Sequence, residues 1–167
     1  MRYALMRSLD INNGPGICAS LYVQGCSHHC DGCFNPDTWD FNGGMIWNRR
    51  TELQFIEVCK DEHVKNICIL GGEPLDQGKD MLRLIKNLKE VKKPIWLWTG
   101  YTWEEILKNN SENEKIRFQV VEEVDVLVDG RFVKSLKDES LRFKGSSNQR
   151  VIDVKKSLST NSIVLYE

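Results

Sequence analysis

The 167-residue sequence has no apolar run near the length that crosses a membrane, about 20 residues; its apolar runs are strand-sized. Residues 1–10 carry Arg2 and Arg7 and lack a continuous apolar region followed by a small-residue cleavage site. No secretory leader is read there, so a cytoplasmic protein is expected. Charge of one sign is missing too: 23 basic residues face 24 acidic ones, for a formal net charge of −1. Without a basic stripe, no nucleic-acid partner is expected. No low-complexity segment or linker divides the chain. Its length suits one core, so a single domain over residues 1–167 is expected.

What is present is a repeated event, a short apolar strand that ends abruptly in glycine or polar residues. The first strand is read at residues 17–24, where Ile17, Ala19, Leu21 and Val23 alternate with more polar positions. It runs into Gly25 and a cysteine-rich loop. A helix is expected over 51–60 with Thr51 as its N-cap. The second strand, 66–70, ends in Gly71-Gly72-Glu73-Pro74. An amphipathic helix over about 78–91 follows, with Met81, Leu82, Ile85, Leu88 and Val91 as its stripe. The third strand, 94–98, ends in Thr99-Gly100-Tyr101, and a helix is expected over 102–109. The fourth, 124–128, ends in Asp129-Gly130-Arg131. Residues 134–148 read as a polar loop, and short strands are expected at 151–154 and 163–166. Strands alternating with helices imply an α/β fold with a parallel sheet and right-handed crossovers. Ligands of such folds gather at the carboxyl ends of the strands. All four strand ends carry the unusual residues.

Six cysteines are present, and three fall within one short loop, Cys26, Cys30 and Cys33. Clustered cysteines in a chain without a leader point to metal or catalysis rather than disulfides. Cys18, Cys59 and Cys68 lie in apolar segments and are read as buried thiols. The C-x3-C-x2-C spacing can hold three corners of an iron–sulfur cluster. With no fourth cysteine nearby, one iron is left for a substrate or cofactor, as an open position is at catalytic zinc. The alternative is a zinc-binding interaction module, with His28 or His29 as fourth ligand. Both histidines sit between two of the ligands, which makes tetrahedral closure awkward, and they are read as exposed loop residues.

C-x3-C-x2-C after the first strand, together with Gly71-Gly72-Glu73-Pro74 after the second, resembles the radical S-adenosylmethionine superfamily. Within it, the chain resembles the activating proteins of anaerobic ribonucleoside-triphosphate reductases. The likeness runs through Asn13-Gly14-Pro15-Gly16, Gly25 to Trp39, Gly71 to Leu75, Trp98 to Tyr101, Asp125 to Phe132 and Gly145 to Arg150. Gly32 before the third cysteine is typical of this branch, where many members of the superfamily have an aromatic.

The resemblance implies an incomplete (β/α) barrel and a 4Fe–4S cluster on Cys26, Cys30 and Cys33. Its open iron would take the amino and carboxylate groups of S-adenosylmethionine. Reductive cleavage would give methionine and a 5′-deoxyadenosyl radical. That radical would take hydrogen from a glycine of the large reductase subunit, with reduced flavodoxin or ferredoxin as electron donor. A small radical enzyme acting on a metabolite, such as one in deazapurine biosynthesis, is the enzymatic alternative. Gly71, Gly72, Glu73 and Pro74 would cradle the methionine end, with Glu73 accepting from the amino group. Gly32 and Phe34 would border the adenine, and Thr99 and Asp129 the carboxylate. Asp129 has a second reading, as a turn-former before Gly130. Arg142, Lys144, Asn148 and Arg150 are anion or partner contacts, or simply a solvated loop. Trp39, Trp47 and Trp103 are either interface anchors or core residues.

Overall fold

Alternation along the central strands becomes two different surfaces in the computed structural model, which describes residues 1–167. Seven strands form one sheet: β1 (Arg2–Asp10), β2 (Cys18–Gln24), β3 (Met45–Ile46), β4 (Asn66–Gly71), β5 (Ile95–Trp98), β6 (Val126–Asp129) and β7 (Arg150–Asp153). Their order is β3-β1-β2-β4-β5-β6-β7. The helices are α1 (Arg49–Lys60), α2 (Lys79–Lys89), α3 (Trp103–Ile106), α4 (Glu112–Val121) and α5 (Val154–Thr160).

Strands β2, β4, β5 and β6 pair in parallel, while β1 pairs antiparallel with both β2 and β3, and β7 antiparallel with β6. The sheet is therefore mixed, where an all-parallel one is expected from the alternation of strands and helices. The reason is connection length and content. Only residues 11–17 join β1 to β2, too few for a crossover. Residues 130–149 join β6 to β7 with a single short 3-10 turn and no α-helix.

Ala19, Leu21, Val23, Ile67, Ile69, Ile95, Leu97 and Leu127 point to one face and meet Phe55, Met81, Leu84, Ile85, Leu88, Ile106 and Val120. All five helices contribute to that side, since Trp103 of α3 and Val154 of α5 join the same core. The intervening residues Cys18, Cys68, Leu70, Trp96, Val126 and Val128 form a smaller cluster on the other face, with Tyr22, Trp98 and Phe143 against it. Helices cover one side of the sheet only, and the second side is a lined hollow.

Several elements differ from the sequence expectation. β1 is an additional strand, whose mostly exposed or half-buried residues give no clear apolar period. α1 begins two residues early because Asn48, not Thr51, is the cap, its side chain accepting from the Thr51 N–H at 3.0 Å. α4 and α5 also lie outside the expected set. Residues 163–166 make only a single bridge, Leu165 to Ile152, rather than a strand. No helix is long and apolar enough to cross a membrane.

Candidate active site

Each of the parallel strands β2, β4, β5 and β6 delivers its next residues to the same rim, because parallel strands share a carboxyl end. Past β2, Gly25 adopts φ +105°, a backbone turn that glycine favours. A Cβ there would strike the Phe41 ring at 2.2 Å. That turn launches the loop of Cys26, Cys30 and Cys33. All three thiols are free and line one cavity of about 500 Å³. Gly71, Gly72 and Glu73 from the end of β4, Thr99 and Gly100 from the end of β5, and Gly130 and Phe132 beyond β6 line it as well. Burial raises the thiol pKa of Cys26 and of Cys30.

The segment after β4 clamps the cysteine loop. The Glu73 N–H donates to the Gly25 carbonyl at 2.8 Å, and the Gly72 N–H to Val23 at 2.9 Å. A Cβ on Gly72 would stand 2.5 Å from that same Gly25 oxygen, so this close approach requires glycine. The Glu73 carboxylate is 1% exposed and takes four contacts. Oε1 accepts from Leu75 N–H (2.9 Å) and Thr99 Oγ1 (2.7 Å). Oε2 accepts from Gly100 N–H (2.7 Å) and lies 2.9 Å from His28 Nε2. Asp76 accepts from the Ser27 N–H (2.9 Å) and from the Tyr101 hydroxyl (2.7 Å). Burial, with Asp76 alongside, pushes the Tyr101 pKa up to about 12. Gln77 donates to the carbonyls of Gln24 (3.1 Å) and Gly25 (3.3 Å).

His28 is thus not the exposed loop residue that the sequence suggests. Its side chain is 6% exposed, bonded to Glu73 and edge-on to Tyr101 at 4.5 Å. No apolar periodicity announces a polar clamp of this kind, which forms only when three strand ends meet. Asp76 and Gln77 escape sequence reading for the same reason, and Tyr101 is read there only as part of a strand end.

The remaining expected residues divide. Phe34 lines the cavity, packs on Phe132 at 4.9 Å and is 60% exposed. Gly32 has φ +74° and sits against Lys134, outside the lining. Pro74 is buried behind the rim, where it opens a 3-10 turn over Pro74–Gln77. Asp129 is 1% exposed and does not line the cavity. It accepts from the Trp103 N–H at 2.7 Å and from Arg150 Nε at 3.0 Å. Arg150 also reaches Glu104 at 2.8 Å, Asn148 donates to Arg131, and Lys144 to Gln149. These polar residues hold residues 130–150 together, while Arg142 lies over the Phe143 ring. Trp47 and Trp103 are core residues, 7% and 5% exposed, and are not surface anchors.

A single zinc ion needs a fourth donor beside the three thiols. His28 is turned to Glu73, and His29 stacks flat on Trp39, with ring planes 8° apart. No three thiol, imidazole or carboxylate groups converge on one ion position. Three thiols lining one cavity suit a polynuclear cluster, whose ligands attach to different irons.

The family model described as "4Fe-4S single cluster domain" matches residues 12–152. The Escherichia coli (strain K12) protein named "anaerobic ribonucleoside-triphosphate reductase-activating protein" is 40% identical over 157 residues, covering 90% of this chain and 97% of that one. The chain belongs to the anaerobic ribonucleoside-triphosphate reductase-activating protein family. Members of the same name from Pasteurella multocida (strain Pm70) and Enterobacteria phage T4 are 35% and 32% identical, each over about nine-tenths of this chain and more than nine-tenths of their own. In this family member the region matched by the cluster-domain model spans β2 through most of β7 and contains every residue that lines the cavity.

Proposed function

We propose that this chain activates an anaerobic ribonucleoside-triphosphate reductase by radical chemistry, as a single radical S-adenosylmethionine domain over residues 1–167. The observation that carries the reading is that Cys26, Cys30 and Cys33 open, with Gly71, Gly72 and Thr99, onto one cavity. Cys26, Cys30 and Cys33 would hold a 4Fe–4S cluster, leaving one iron for the amino and carboxylate groups of S-adenosylmethionine. When bound, the cluster supplies the electron that cleaves S-adenosylmethionine, and the resulting 5′-deoxyadenosyl radical takes hydrogen from a glycine of the large reductase subunit.

The chain's own residues do the positioning. Gly71 and Gly72 bring backbone to the methionine end, and Thr99 closes it from β5. Glu73 has its four acceptor positions filled by protein donors. Contact with the amino group therefore asks one donor to yield, and His28 is the side chain that reaches over from the cysteine loop. Phe34, backed by Phe132, offers an apolar surface to the adenine, with Gly32 shaping the loop before it. Pro74 sets the turn behind Glu73, and Asp129 fixes the start of α3 and the Arg150 side chain.

Helices on one side of the sheet and a hollow on the other favour an incomplete (β/α) barrel whose open side admits a macromolecular substrate. A cytoplasmic location suits six free thiols, and reduced flavodoxin or ferredoxin would supply the electron. The test is electron paramagnetic resonance on anaerobically reconstituted protein with reductant, S-adenosylmethionine and the large subunit. A glycyl-radical doublet that needs every component is expected. Formation of 5′-deoxyadenosine without the doublet would remove the partner from this proposal; absence of both in iron-loaded protein would remove the chemistry.

A further inference from the structure

The long connection between β6 and β7, residues 130–149, folds back on itself as a hairpin. Lys137 and Ser146 form an antiparallel bridge across it. The Asp138 N–H donates to the Gly145 carbonyl at 3.2 Å, and the Ser147 N–H to the Leu136 carbonyl at 2.9 Å. The base is pinned by Gln149, whose Oε1 accepts from the Gly145 N–H and whose Nε2 donates to the Gly130 carbonyl, both at 2.8 Å. The tip has no such support. Of residues 131–149 only Ser146, at the base, is buried. Yet Asp138, Glu139, Leu141, Phe143 and Lys144 of the tip all line the cavity.

One residue holds that tip to the sheet. The Phe143 ring packs edge-on against Trp96 at 4.9 Å, and the Phe143 carbonyl accepts from the Trp98 indole N–H at 2.7 Å. No other hydrogen bond runs from residues 138–144 to a residue outside the connection. Phe143 makes these contacts at φ +68°, in the left-handed region that a bulky residue rarely adopts. Three other non-glycine residues have positive φ. Lys92 and Asn161 lie just beyond the ends of α2 and α5, where a left-handed residue commonly ends a helix, and His29 belongs to the cysteine loop. Strain of this kind persists only where surrounding contacts impose it, and it gathers at clamps and switch regions.

The cavity of about 500 Å³ falls within the roughly 300–1,000 Å³ of a pocket for one small ligand. The cluster and S-adenosylmethionine would occupy it, which leaves no room for a polypeptide segment while the hairpin is down. We propose that residues 136–147 are a lid, latched shut by Phe143 on Trp96 and Trp98, and that the entering segment of the macromolecular substrate displaces this latch. This rests on the macromolecular-substrate reading of the open side. Release relaxes the Phe143 backbone, so the latch is weaker than its contacts alone would make it. Gln149 keeps the base in place while the tip swings away.

The test uses iron-loaded protein under anaerobic conditions. Phe143→Ala removes the ring and its contact with Trp96. Hydrogen exchange over residues 136–147 should then be faster by about tenfold or more, with β4 and β5 unchanged. The variant should also bind the large reductase subunit about threefold or more tighter, because a shut lid lowers the parent's affinity. Unchanged exchange in the hairpin, or binding that is unchanged or weaker, overturns the proposal. In the otherwise unaltered protein, 4-fluorophenylalanine placed at position 143 reads the latch through its fluorine resonance. That resonance should carry the ring-current shift of Trp96 in the free protein and lose it when the large subunit is added. This measurement decides the matter even if the alanine variant does not fold. A resonance that stays put in a complex that has formed overturns the lid and leaves the partner in place. Loaded parent protein that forms no complex with the large subunit overturns the reading of the partner, and this proposal with it.

Discussion

Glu73 gathers the cysteine loop, the end of β4 and the end of β5 onto one buried carboxylate. Removing it leaves the Thr99 hydroxyl, two backbone N–H groups and His28 without their acceptor. Glu73→Ala should therefore lower the unfolding free energy of the iron-free protein by about 3 kcal/mol, read by urea denaturation. The iron ligands are untouched by this change, so iron content after reconstitution should stay near the parent's while S-adenosylmethionine binding weakens in a titration. The cysteines divide just as sharply. Replacing Cys26, Cys30 or Cys33 with serine should abolish the brown chromophore and the labile sulfide. Cys18→Ala and Cys59→Ala should keep both and cost about 1–2 kcal/mol of stability, as buried side chains lost from a packed core do. The three loop cysteines stood out by residue type and spacing, and the Gly-Gly-Glu-Pro turn as an abrupt strand end whose role only the family resemblance implied. His28 was not, because its burial depends on a carboxylate 45 positions away in sequence.

Among the elements, α3 shows how a four-residue helix is made to stay. Thr102 and Glu105 form a capping box, Asp129 accepts from the Trp103 N–H, and Arg150 bridges Asp129 to Glu104. Arg150 holds the Glu104 carboxyl down at about 2, from an ordinary 4.5. A carboxyl whose folded pKa is depressed stabilises the fold above its unfolded pKa and loses that contribution as pH falls towards the folded one. This part of the stability should therefore be complete above about pH 4.5 and fade towards pH 2. Glu104 is 62% exposed, so solvent screens the pair and its contribution is about 0.5–1 kcal/mol. Glu104→Gln should cost that amount at pH 6 and nothing near pH 2, in urea unfolding at the two pH values. The sequence showed the central strands through their apolar runs, and α2 through its stripe. It hid β1, which has few fully buried residues, and α4, which buries only Ile116, Val120 and Val121. The Ser111–Glu114 capping box at the start of α4 was a legible signal, of the same form as the one at Thr102.

At the scale of the molecule, a rigid sheet carries two loops that meet across a hollow. Phe34 of the cysteine loop touches Phe132, and a Cβ on Gly145 would come within 2.7 Å of the Phe34 ring. Few residues of these loops are buried, whereas β4 and β5 are almost wholly so. Filling the cavity should thus restrain residues 25–39 and 131–149 far more than the sheet. Hydrogen exchange on iron-free and iron-loaded protein should slow in those two segments by tenfold or more and leave β4 and β5 unchanged.

The cysteines outside the loop have a practical consequence. Cys18, Cys59 and Cys68 are each 0% exposed, and burial pushes Cys59 up to about 12. The Cys18 and Cys68 sulfurs both lie beneath Gly14, where a Cβ would stand 3.1 and 3.0 Å from them, and Cys18 donates to the Pro15 carbonyl at 3.7 Å. Reagents that alkylate thiolates from solvent meet none of these three while the fold holds. The native protein therefore carries its own gauge of loading, because every thiol that a chromophoric reagent can count belongs to the loop where iron would sit.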